Sequence, residues 1–176
     1  HTGSASTNSD AYGGGIVSVE ADLFFTNVTL SGNKADGKNN SRGGGLYLVN
    51  SADVLMSFTT VTENEATGAE DSQGAGVYLD STTSPNLVSI NSIISDNVVN
   101  GSNSAEGPDC YGTIYTLGNN IISDDSECSL DESSATDSGA DYTGSSADLE
   151  ALADNGGYVK THALSDGNSA IDAASC

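Results

Sequence analysis

Residues 43–64 read GGGLYLVNSADVLMSFTTVTEN: a glycine triplet, a short apolar run, a turn, an alternating run, and a third short run closed by Asn64. The same pattern precedes it in residues 13–33, GGGIVSVEADLFFTNVTLSGN, and follows it in residues 74–97, GAGVYLDSTTSPNLVSINSIISDN. A worn fourth copy, NNIISDD, occupies residues 119–125. The glycine starts at 13, 43 and 74 recur after 30 and 31 residues, and the Asn ends at 33, 64 and 97 after 31 and 33. Each run is short, β-branched or aromatic, and bounded by Gly, Asn or Asp, which favours strands over helices. A repeat of this length, made only of short strands and turns, predicts a solenoid whose core runs between stacked coils. The expected fold is all-β: a right-handed parallel β-helix of four or more coils of roughly 30 residues, with a C-terminal cap.

Registering the copies on their Asn ends places Leu30, Val61, Ile94 and Ile122 in one inward column. Leu23, Val54 and Leu87 form a second, with Phe25 and Met56 two residues on. Strands are expected over 16–19, 23–25 and 28–30 of the first coil. Polar, glycine-containing loops are expected between coils, over 34–42, 65–73 and 98–107. The chain divides into a flexible lead-in (1–11), the coils (12–130), an acidic, serine-rich connection (131–148) and a cap (149–176). Within and just before the cap, a short helix is expected over 147–153 and a DNGG turn at 154–157. A cap follows from the physics of coil ends, whose unpaired strand edges solenoids normally cover.

The chain has 176 residues, enough for one sizeable core. Four residues are basic (Lys34, Lys38, Arg42, Lys160) and 25 acidic, a formal charge of −21. Such a field repels phosphate backbones, so nucleic acid is not an expected partner; it keeps a protein soluble and attracts divalent cations. No stretch approaches the roughly 18 apolar residues that span a bilayer. The chain opens on His1 with no signal peptide in view, as a processed chain or a fragment would. The cysteines are Cys110, Cys128 and Cys176. A bridge between Cys110 and Cys128 would close a loop of about 18 residues, worth about 3 kcal/mol in the chain-entropy account. With no histidine near either, zinc is a poor alternative, and a bridge suits an exported protein.

Several residues invite a functional reading, and each has a plainer one. Asp124, Asp125 and Glu127 offer hard oxygen ligands for calcium, but without EF-hand or RTX spacing. Sequons at Asn27, Asn39 and Asn100 are glycosylation candidates in a chain rich enough in Asn, Ser and Thr to contain them by chance. If Leu23, Val54 and Leu87 point inward, alternation turns Phe24, Leu55 and Val88 outward. That apolar column would be an interface, or a face covered by the chain's own tail. Tyr47 and Tyr78 stack in register and are expected to face outward, as a platform for sugar rings or as a structural ladder. Asn33, Asn64 and Asn97 sit where coils turn, as a hydrogen-bonded amide ladder or as good turn formers. The glycine triplets read as stacked corners rather than a phosphate loop, because strands follow them. His162 reads as a hydrogen-bonded structural residue, since no nucleophile is near it in sequence.

Four further stretches occur in order: DCYG (109–112), LGNNIISDDSEC (117–128), LADNGGYVKTHAL (152–164) and NSAID (168–172). With the repeats, they resemble the choice-of-anchor Q domain proteins, exported right-handed parallel β-helix proteins related in pattern to polymorphic outer-membrane repeat proteins. The resemblance covers nearly the whole chain. It implies a secreted or surface location, a three-sided helix, paired cysteines at 110 and 128, and no catalytic residues to carry over. Tyr158 stands where members usually have proline and Ala174 where they have glycine.

The expected function is a non-enzymatic, extracellular or cell-surface structural or adhesive module. Its partners would be itself, stacked end to end into a filament through open coil edges, or other surface proteins and glycans. The alternative is a carbohydrate-binding or polysaccharide-cleaving β-helix. Cleavage by a lyase needs a base, and in the coils only Lys34, Lys38 and Arg42 qualify, all in one loop. A glycosidase needs two facing carboxylates, and no pair stands out.

Overall fold

The computed structural model describes residues 9–50, 52–80, 82–83, 85–133, 139–168 and 170–171. Among them every regular element is a strand, and the strands stack in parallel as a solenoid of about four turns. The first coil contains β1 (Ala11–Tyr12), β2 (Ile16–Val19), β3 (Leu23–Thr26), β4 (Thr29–Ser31) and β5 (Lys34–Asp36). The second repeats this as β6 (Ser41–Arg42), β7 (Leu46–Val49), β8 (Asp53–Ser57), β9 (Thr60–Thr62) and β10 (Glu65–Gly68). The third runs β11 (Asp71–Gln73), β12 (Val77–Leu79), β13 (Asn86–Ile90), β14 (Ile93–Ser95) and β15 (Val98–Gly101). In the fourth, β16 (Ser104–Glu106) leads to a long β17 (Cys110–Thr116), which pairs with both β12 and β13, and to β18 (Ile121–Ile122). A partial fifth layer adds β19 (Cys128–Asp131) on β17 and β20 (Tyr142–Thr143) on β18.

Pairing follows the expected register. Leu30, Val61, Ile94 and Ile122 align and enter the core, as do Val54 and Leu87, with Leu23 packed at its margin. Phe25 and Met56 lie in the same core. The second coil puts Leu46, Leu48, Val54, Met56 and Val61 into the core and the third Val77, Leu79, Leu87 and Ile94, and each layer is shared with its neighbours, the economy of a solenoid.

Three expectations need correction. The segments read as loops over 34–42, 65–73 and 98–107 carry two short strands each, so a coil has five strands rather than three. Their inward residues are small: Ala35 and Ala66 in one sheet, Ser41 and Ser72 in the other, all buried. Ser41 and Ser72 donate their hydroxyls to the carbonyls of Thr67 and Asn100, which satisfies them inside a lobe too narrow for larger side chains. Hydrophobic alternation is weak there, although the backbone pairing is regular. Part of the lead-in is also tied down: Ser9 O accepts from the N–H groups of Lys38 and Asn39, and Asp10 accepts from both amides of Asn40.

The third correction concerns the C-terminal segment. No helix forms over 147–153. Instead an antiparallel hairpin pairs Leu149 with Leu164 and Ala153 with Thr161. It runs down the flank beside β14, β9 and β4. Ser95 Oγ accepts from Ala147 N at 3.0 Å, Asp96 accepts from Ser146 Oγ at 3.0 Å, and Ser31 in the first coil meets His162 at 2.8 Å. The segment is a strap from the last coil to the first, with an open space of about 170 Å³ where Leu164 passes Ile93 and Ile121.

Candidate functional site

The glycine and asparagine corners form one device. Asn33 donates its backbone N–H and side-chain amide to Asn64 Oδ1, at 3.0 and 2.9 Å, and Asn64 does the same to Asn97 Oδ1. Asn64 Nδ2 also reaches Leu30 O, and Asn97 Nδ2 reaches Val61 O, so the amides stitch each coil to the ones beside it. The room for them comes from the third glycine of each triplet. A Cβ on Gly45 would lie 2.7 Å from Gly76 O and 3.0 Å from Asn64 Nδ2, and one on Gly76 2.7 Å from Asn97 Nδ2. In the fourth coil this glycine is replaced. Pairing of Val77 with Cys110 aligns GPDC with GAGV, which puts Asp109 in the glycine column.

Asp109 fills the space where the next amide of the ladder would lie. It is 1% exposed and accepts four hydrogen bonds, from Asn97 N, Asn97 Nδ2, Ser123 Oγ and Asp124 N. A carboxylate can only accept, so it receives the ladder and cannot pass it on. Burial pushes its pKa above the ordinary aspartate value, against the pull of these donors. A second ladder ends the same way: Ser92 N donates to Asn120 Oδ1, and Asn120 donates N–H and Nδ2 to Asp141 Oδ1 at 2.8 and 2.9 Å. The connection over 131–148 thus inserts a carboxylate into the fold. Neither aspartate is marked by hydrophobic pattern, although the GPDC against GAGV alignment was the available signal for Asp109.

Cys110 and Cys128 are disulfide-bonded, with their Cα atoms 5.5 Å apart, and tie β17 to the partial fifth layer. Cys176 lies outside the described residues.

Tyr47 and Tyr78 point away from the core but are not open. Tyr12, Tyr47, Tyr78 and Tyr111 form one stack with ring centroids 5.2, 5.4 and 5.1 Å apart. Tyr47 and Tyr78 are 8% and 6% exposed, each with both ring faces against a neighbouring ring. The sugar platform expected there therefore has no free aromatic face. Arg42 lies over Tyr12 and Tyr78, 5.9 and 5.3 Å from their centroids, and donates Nε–H to Gln73, which donates to Glu106. Burial raises the Tyr47 hydroxyl and takes that of Tyr78 up to about 12. The stack is a structural ladder, as cross-strand aromatics of a sheet commonly are.

The outward column expected on the next face is present. Phe24, Leu55 and Val88 align through the pairing of β3, β8 and β13, and Tyr115 continues the row. With Asp22, Asp53 and Asn86 beside them, they line an open groove of about 360 Å³. The calcium candidates do not converge. Asp124 Oδ1 accepts from Ser126 N and Oγ within its own turn, and no group of three or more His, Cys, Asp or Glu is arranged around a cation position among the described residues. Of the sequons, Asn27 is exposed in a left-handed turn, Asn39 is half-buried, and Asn100 donates its Nδ2 to Glu65 Oε1 at 3.0 Å. Glu65 also accepts from Thr67 and Lys34, and these bonds hold its carboxyl below the usual glutamate range.

His162 has both ring nitrogens engaged: Nδ1 lies 2.8 Å from Glu150 O and Nε2 2.8 Å from Ser31 Oγ. Because a carbonyl only accepts, Nδ1 carries the proton of the neutral ring and Nε2 accepts from the Ser31 hydroxyl. Glu63 Oε2 lies 4.0 Å from Nε2. The imidazole thereby pins the strap to the first coil. No helix among the described residues is long and apolar enough to cross a membrane. Searches of family models, curated proteins and solved structures find no match to this chain.

Proposed function

We propose that this chain is a non-enzymatic structural module of an extracellular or cell-surface protein, and that its first coil receives a further coil by end-to-end stacking. One observation carries the reading. Strands β2 to β5 each have an unpaired edge among the described residues, and no described residue donates to Asn33 Oδ1, the atom that accepts two hydrogen bonds in every inner rung. Ile16, Leu23 and Val28 lie at the margin of the core on that side. An edge of this kind is a template for strand addition. The disulfide suits an oxidising compartment, and the resemblance to choice-of-anchor Q proteins points the same way. Rigidity comes from the amide ladders, the tyrosine stack and the strap, which suit a spacer or display surface.

Electron microscopy of the freshly purified chain at low and high salt tests the stacking. The charge of −21 opposes association, so screening should promote it. The expected result is fibres at high salt with an axial repeat of roughly 20–25 Å, four to five coils at the strand spacing. Discrete particles at both salt concentrations would reject stacking between copies of this chain.

A further inference from the structure

The two most exposed large apolar side chains among the described residues are Tyr158 and Phe24, at 109% and 78%. They belong to different surfaces of matching character. Tyr158 and Val159 project from the tip of the C-terminal hairpin, which is closed by the bridge between Ala153 and Thr161 and by two bonds from Asn155 Nδ2 to Thr161. Phe24 begins the outward row with Leu55, Val88 and Tyr115, in the groove edged by Asp22 and Asp53.

Charge distinguishes one occupant of that groove from others. Of the four basic residues, Lys34 is paired with Glu65 and Asp36, and Arg42 is held among the tyrosines. Lys38 and Lys160 join no ion pair among the described residues, but Lys38 lies between Gly37 and Asn39, whereas Lys160 follows the apolar tip directly. Asp22 and Asp53 likewise join none. A chain this acidic repels most copies of itself, and the tip is a place where an exposed aromatic, an exposed aliphatic and a free cation coincide. We propose that Tyr158 and Val159 of one copy seat in the Phe24–Leu55–Val88 groove of a second copy, with Lys160 set against Asp22 and Asp53.

Tip and groove are different surfaces, so the contact is heterologous, and it extends into a string unless the rotation closes a ring. It rests on the reading of the chain as a structural module and adds a second kind of contact to it. Coil stacking joins strand edges, whereas this contact joins a side-chain tip to a sheet face. One aromatic and one β-branched residue bury little area, so association is weak and depends on concentration and salt.

Analytical ultracentrifugation of the whole chain over rising concentration, to about 1 mM, tests the contact. At low salt, where the charge of −21 opposes coil-edge stacking, the wild-type average mass should rise, and Tyr158→Ser and Phe24→Ser should each remain monomeric. Both residues are exposed, so far-UV circular dichroism should be unchanged. An equimolar mixture of the two variants should recover association and stop at dimers, because one variant keeps an intact groove and the other an intact tip. Lys160→Glu should also weaken association, most clearly at low salt. A wild-type mass that stays monomeric throughout overturns the proposal. So does association that persists unchanged in both serine variants, which is the behaviour expected of coil-edge stacking alone. Fibres of both variants at high salt report on coil-edge stacking and not on this contact, so the two readings fail separately.

Discussion

The two ends of the first amide ladder are built from nearly the same atoms and do opposite things. At its start, Asn33 donates twice to Asn64 while no described residue donates to its own Oδ1. At its finish, Asp109 receives two bonds from Asn97, two more from the fourth coil, and donates none through its side chain. The difference of one amide against one carboxylate gives the ladder a direction. An Asn rung is a link, and an Asp rung is a stop. Asp141 closes the second ladder on the same principle. Among the described residues the ladder thus ends on a carboxylate on one side and on an amide oxygen without a donor on the other.

The stop should be the costliest place to break. Asp109→Ala would take the acceptor from Asn97 N, Ser123 Oγ and Asp124 N, while Asn97 Nδ2 keeps the carbonyls of Val61 and Ser95; the loss expected from orphaned polar groups at this site is about 4 kcal/mol, read by urea unfolding. A loss under about 1 kcal/mol would mean that water replaces the carboxylate, and that the end is not held by it. Next comes the inner link. Gly45→Ala places a Cβ against backbone on one side and the Asn64 amide on the other, and should cost about 3 kcal/mol. The matching Gly15→Ala meets Gly45 O at 2.7 Å and Asn33 Cγ at 2.9 Å, but on the outermost coil, where the chain can shift; it should cost roughly half as much. Equal losses at the two glycines would erase the contrast between inner and outer coils.

This contrast was only half legible in the sequence. The apolar columns through Leu30, Val61, Ile94 and Ile122 were readable because one large residue per coil repeats at a fixed distance from a recognisable Asn. The strands through Lys34–Asp36 and Ser41–Arg42 were not, because their inward residues are Ala and Ser, whose burial leaves no hydrophobic signal. The outward column at Phe24, Leu55 and Val88 followed from alternation, whereas the enclosure of Tyr47 and Tyr78 depended on Tyr12 arriving from a neighbouring strand. The strap could not be foreseen from local pattern: its contacts join His162 to Ser31 across 131 positions, and each is a single polar pair.

Acidity should separate the stop from the exposed carboxylates. Burial raises the Asp109 pKa, so its charge costs the folded state something at neutral pH. That cost is relieved as pH falls through the raised value toward the ordinary one near 3.8. Asp10, Glu106 and Asp131 behave oppositely. Their hydrogen bonds to Asn40, Gln73 and Ser133 lower their values, so their contribution is present at neutral pH and lost only as pH falls through those lowered values. Measured against Asp109→Asn, which removes the titration, the wild-type protein should gain relative stability as pH falls through the Asp109 window. The differential cancels most of the general relief of repulsion. Parallel curves for the two proteins down to pH 4 would show that burial does not govern this carboxylate.

The smallest effect is expected at the open link, and it bears directly on what the open link is for. Asn33→Ala removes one donor to Asn64 Oδ1, which keeps its bond from the Asn33 backbone N–H, and it orphans nothing among the described residues. The expected loss is about 1 kcal/mol, against about 3 kcal/mol for Asn64→Ala, which strips partners from Asn33, Leu30 and Asn97 together. A copy stacked on the first coil joins it through strand edges, since its own ladders end at Asp109 and Asp141, whose carboxylates have nothing to donate to Asn33 Oδ1. Assembly at that edge nevertheless buries Asn33. The two alanine substitutions should differ in dilute monomer and move closer together under conditions that produce fibres, because only assembly encloses the Asn33 side chain. Thermal unfolding of both variants in the two states reads this out. A gap that stays open in the fibre would mean that assembly, where it occurs, uses a surface other than the first coil's edge.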